Sequence, residues 1–161
     1  MAQVQELQDL LLPLFKGLPL EEAMPELVPT CPRTDGWHAE VERIVQNPAI
    51  ANHPEIVAGL WLYVDDLNRS HEVSQGIQTP IGSVWHGIMH RREGDFWNSK
   101  YWFNRAGKPS LLAGLDPATF VDTVERNFRN NPVDLVNDQR KEWKVVFDWC
   151  VQNASSKEKG K

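Results

Sequence analysis

His86 and His90 stand four residues apart, and Glu93 follows three residues later. On an ideal helix these side chains fall within roughly 60° of arc, so they project from one face. Imidazoles and a carboxylate that converge can ligate a divalent metal or move protons. Glu93 lies about 10 Å along the axis from His86, which is far for a shared ion. His86 and His90 alone match the paired histidines of helical zinc sites. The pattern is not H-E-x-x-H, because Gly87, Ile88 and Met89 fill the interval without a glutamate. Two histidines plus a carboxylate suit zinc, iron, nickel or manganese by ligand type.

A third ligand is expected from the preceding helix. His71 lies eight residues before Thr79, and His86 lies seven after it. If the two helices fold back on one another at this point, both imidazoles stand on the order of 11 Å from the turn. Glu72 lies at nearly the same height, Asn68 opposite His90 and Asp65 opposite Glu93. The candidate catalytic set is therefore His71, Glu72, His86 and His90. The candidate metal ligands are His71, His86 and His90, with zinc or iron as the expected ion. Without a metal, the same groups form an acid–base site in which a carboxylate orients His71.

The flank of this cluster is aromatic and basic. Trp85, Phe96, Trp97, Tyr101, Trp102 and Phe103 crowd into it. Residues 91–108 carry five cations against Glu93 and Asp95, a local charge of +3 in a chain of net charge −5. Arg91, Arg92, Glu93, Trp85 and Tyr101 are the expected substrate contacts, and an anionic small molecule is the expected partner. The rival reading is a non-catalytic helical interaction or ligand-binding domain. There, segment 91–108 docks a partner and the histidines pack or hydrogen-bond. No phosphate loop, dinucleotide fingerprint or Ser-His-Asp order is present.

Helices must position these groups. Apolar residues recur at helical spacing over 3–15, 37–45, 54–75, 80–94, 96–105, 117–128 and 132–150, with one short helix expected near 20–24. Pro13 is expected to end or kink the first helix. Thr79-Pro80 is a cap followed by a first-turn proline, Gly94 a left-handed C-terminal residue, and Asp95 the next cap. No segment shows sustained two-residue alternation. The expected fold is all-α: one irregular helical bundle of six or seven helices over 1–153, then a disordered polar tail over 154–161.

The acidic balance argues against a general nucleic-acid binder. No apolar run approaches 18 residues, so no membrane partner is expected. Cys31 and Cys150 show no metal spacing. With no secretory leader visible over residues 1–15, cytoplasm is the expected location.

The segment WHGIMHRREGDFWNSKYWF, residues 85–103, resembles one shared by small uncharacterised bacterial and fungal proteins. The likeness covers roughly residues 61–107. It implies that the segment is a unit, and brings with it no activity, cofactor or residue role.

Overall fold

The computed structural model describes residues 2–159, with side chains described for 3–154. Among the described residues the structure is all-helical, with nine α-helices rather than six or seven. They are α1 (Ala2–Gly17), α2 (Gly36–Ile44), α3 (Pro48–Ala51), α4 (Pro54–Tyr63), α5 (Leu67–Ser74), α6 (Pro80–Arg92), α7 (Phe96–Ala106), α8 (Pro117–Asn127) and α9 (Val133–Lys159). Two short 3-10 turns occupy Ser110–Leu112 and Phe128–Asn130.

The extra helices have local causes. The single helix expected over 54–75 is two, α4 and α5, broken at Asp65. That residue adopts a left-handed backbone with φ of 63°. Asp66 then caps α5 by accepting from the Arg69 amide at 3.1 Å. Asn47 caps the single-turn α3 through the Ala49 amide at 2.9 Å, with Pro48 in its first turn. Residues 20–22 form a turn followed by a bend, not the expected short helix near 20–24, and Met24 has a φ of 50°. Pro13 is accommodated inside α1, which continues to Gly17. At the far end, α9 runs over residues 154–159, which the sequence assigns to a polar tail. Residues 160 and 161 lie outside the described residues.

Most buried apolar residues form one cluster, which draws on α1, α2, α4, α6 and α9 among others. A small second cluster gathers Leu27, Val124 and Val136. Helices α4 and α6 are buried nearly all round. Such helices show no amphipathic stripe, since every side meets protein.

Three side chains tie their neighbours to them. Ser70 of α5 donates to the Ala58 carbonyl of α4 at 2.9 Å. Ser99 of α7 donates to the Gly87 carbonyl of α6 at 2.6 Å. The Trp143 indole of α9 donates to the Gly59 carbonyl of α4 at 2.9 Å. Gly87 permits the closest α6–α7 approach, because a Cβ there would come within 2.8 Å of the Phe103 ring. The two helices that flank the histidines of α6 are thus held by buried, satisfied polar contacts.

Candidate metal centre

The turn over residues 75–79 folds α5 against α6, as the spacing predicts. Thr79 occupies the cap position with extended backbone, and Pro80 follows, but the Thr79 hydroxyl makes no capping bond. The fold-back brings three imidazoles together. The His71 and His86 ring centroids lie 4.7 Å apart, His71 and His90 5.5 Å, and His86 and His90 5.1 Å. One nitrogen from each ring lies within 4.8 Å of the others. A tetrahedral ion with metal–nitrogen bonds of about 2.0–2.1 Å needs nitrogens roughly 3.4 Å apart. The nitrogens of the triad exceed that spacing by at most about 1.4 Å.

Each imidazole has a distinct environment. His86 is 3% exposed, and the Trp102 ring of α7 lies flat against it, with centroids 3.9 Å apart and planes 12° apart. Burial, helped by the nearby His71 and His90, pushes the His86 pKa down to about 4. His86 is therefore a neutral ring at pH 7, the form that ligates a metal. His90 is fixed by Glu93, whose Oε1 lies 2.6 Å from Nδ1. With Nδ1 engaged by a carboxylate, Nε2 is the nitrogen left to the triad. A carboxylate–histidine pair of this kind orients the ring and raises its basicity toward a metal. Asp95 lies further off, 4.0 Å from the same Nδ1, and caps α7 through the Asn98 amide at 3.3 Å.

The structure does not bring every expected residue to the site. Glu72 is exposed and belongs to neither group of possible metal ligands, His71 with His86 and His90, or His90 with Glu93 and Asp95. One residue on from His71, it sits 100° round α5 and cannot share that face. Three expected substrate contacts are structural instead. Trp85 is wholly buried, and its indole donates to the Glu55 carbonyl at 2.8 Å. Arg91 is wholly buried, with Nη2 2.8 Å from Glu142 Oε1, Nη1 3.1 Å from Oε2, and its guanidinium over the Phe120 ring. Arg92 is also wholly buried. It donates to Asp65 at 2.6 Å and to the carbonyls of Leu62 and Glu26 at 2.9 and 3.0 Å. Neither arginine can clamp a substrate anion.

Glu93 meets His90, and Tyr101 stays near the site with its ring edge-on to Trp102 at 5.3 Å. Trp102 is the site member that the sequence reading left without a role. Its signal was its register, since it lies about 140° round α7 from the exposed Trp97 and so faces inward.

The His86 environment predicts a pH dependence of the metal-free protein. Above pH 6.5 both folded and unfolded states hold a neutral His86, so its contribution is complete. As pH falls below 6.5 the unfolded chain takes up the proton first, and the folded chain follows only near pH 4. Stability is lost through that window, by on the order of 3 kcal/mol at most. Urea unfolding of chelator-treated protein at pH 7 and pH 4.5 measures this loss. A His86→Gln protein is expected to show a smaller difference between the two. An equal difference in both proteins contradicts the assignment.

No family model, curated protein or solved structure matches this chain. Among the described residues, no helix is long and apolar enough to cross a membrane.

Proposed function

We propose that His71, His86 and His90 form a divalent-metal centre with an open coordination position, and that the protein is a small metal-dependent enzyme acting on a small molecule. The observation that carries this reading is the meeting of three imidazoles from two helices, with a nitrogen of each within 4.8 Å of the others. Three imidazoles and no carboxylate ligand is a donor set of catalytic zinc, with water or substrate in the fourth position. Iron(II) is the second candidate, since imidazole suits both ions. A metal held here would polarise a substrate oxygen or activate a bound water. Glu93 would hold the His90 ring in place and take no part in ligation. The reading places the protein in the cytoplasm.

A second reading draws on one observation, the 75% exposure of Trp97. Large exposed aromatics mark contact surfaces, so α7 could dock a protein without any chemistry. The burial of Arg91 and Arg92 weakens it, because that surface loses two of its five expected cations.

Titration of the metal-free full-length chain with cobalt(II), a spectroscopic substitute for zinc, tests the first reading. One equivalent is expected to bind saturably, with visible bands of a four- or five-coordinate ion. Absence of saturable binding above pH 7, where protons no longer compete, refutes the metal centre.

A further inference from the structure

We infer that the exposed stripe of α7 carrying Trp97, Tyr101, Asn104 and Arg105 is the substrate platform of the metal centre, and that it takes a saccharide bearing a negative charge. This rests on the metal reading above for its link to catalysis. The platform itself stands on separate observations. Trp97 is 75% exposed and Tyr101 45% exposed, an unusual placement for two large rings on an 11-residue helix. They are four residues apart, with planes 11° apart and centroids 6.1 Å apart, a near-parallel stacked pair that leaves Trp97 largely open to solvent. Asn104 and Arg105 are exposed on the same stripe of the helix. The stripe thus runs from two rings to an amide and then to a guanidinium.

The chemistry of this surface selects the ligand. A one-sided, open aromatic surface suits the apolar face of a sugar ring, whose hydroxyls then point sideways to polar neighbours. A flat aromatic ligand is better served by a closed apolar pocket that covers both its faces. Arg105 supplies the charge preference. Its guanidinium rests over Trp102, 5.6 Å from the ring centroid, and a guanidinium is suited to bidentate carboxylate or phosphate recognition. Lys100 is already paired with Asp122 at 2.6 Å. The link to the triad runs through two side chains. Tyr101 and Trp102 meet in a T-shaped contact with centroids 5.3 Å apart, and Trp102 lies flat on His86. A ring seated on Tyr101 is thereby two aromatic side chains from the histidines. The positive charge that the sequence assigns to Arg91 and Arg92 is supplied at the surface by Arg105 instead.

The test follows the Trp97 indole N–H resonance of zinc-loaded, full-length protein during titration with glucuronate, glucose 6-phosphate, uncharged glucose and benzoate. Saturable shifts are expected with both charged sugars, with glucose at least about tenfold weaker. Arg105→Ala should remove most of the difference between charged and neutral sugar. Trp97→Ala, followed through the Tyr101 ring resonances, should weaken charged sugars about tenfold or more, and Trp97→Phe should recover most of the affinity. In a His86→Ala/His90→Ala protein the charged sugars should still shift Trp97, which separates the platform from the metal centre. Three results overturn the inference: no saturable shift with either charged sugar, a stronger response to benzoate than to sugars, or concentration-dependent shifts of Trp97 without ligand that mark self-association.

Discussion

A His86→Ala/His90→Ala protein is expected to lose saturable zinc binding altogether while remaining helical. Two of the three imidazoles disappear, and His71 alone on α5 cannot hold an ion against water. The single changes should grade in order. Loss of His86, a ligand of the proposed centre, should weaken zinc by more than ~100-fold, because even the loss of an outer-shell partner weakens metal affinity by about 10–100-fold. Glu93→Gln falls in that lower range, since the amide keeps a contact to His90 Nδ1 but not the charge. Competition with a chelator of known affinity gives these constants, and circular dichroism checks the fold. Equal zinc affinity in wild type and in the double variant would remove the triad from any role in binding. A Glu93→Gln effect as large as that of His86→Ala would instead make Glu93 a ligand.

Glu142→Ala should be the most destabilising single change at a polar position, by about 3–5 kcal/mol. Arg91 has 0% exposure and Glu142 5%, and two parallel hydrogen bonds join them across α6 and α9. Removing the carboxylate leaves an unpaired guanidinium sealed from water over the Phe120 ring. Replacing both partners by apolar residues of similar size, as in Arg91→Met/Glu142→Leu, should restore most of the stability, because the cost lies in the orphaned charge. Urea unfolding midpoints of the three proteins measure this. A Glu142→Ala loss below about 1 kcal/mol would mean that Arg91 finds water or another acceptor, as exposed pairs do.

Both predictions concern adjacent stretches of α6, one legible in the sequence and one not. The histidine cluster was legible because its position depends on local signals. Thr79-Pro80 marks the start of α6, and the nearly equal distances of His71 and His86 from that point set them level once the chain turns back. The choice of His71 over Glu72 was also available, since neighbouring residues on a helix diverge by 100°. The arginines were not legible. Arg91 and Arg92 adjoin the cluster and read as substrate contacts, yet Glu142 lies 51 residues on and Asp65 27 residues back. Only the packing of α9 and the break between α4 and α5 bring those carboxylates inside.

That break had a local signal in Asp65-Asp66, with Asp66 three residues before Arg69 in capping position. The apolar run of α4 masked it. The nine helices follow from the same lesson, because α3 is a single capped turn too short for a periodic pattern to show. Trp102 was counted among crowded aromatics, and its contact with His86 depends on how closely Gly87 and Ser99 let α7 approach α6.

The central claim is that three imidazoles share one ion. X-ray absorption at the zinc edge of protein loaded with one equivalent tests it directly. Three nitrogen neighbours at about 2.0–2.1 Å are expected, with the outer-shell scattering of imidazole rings and one further light atom in the open position. A zinc surrounded by oxygen, or by sulfur from Cys31, with one histidine or none, would contradict it.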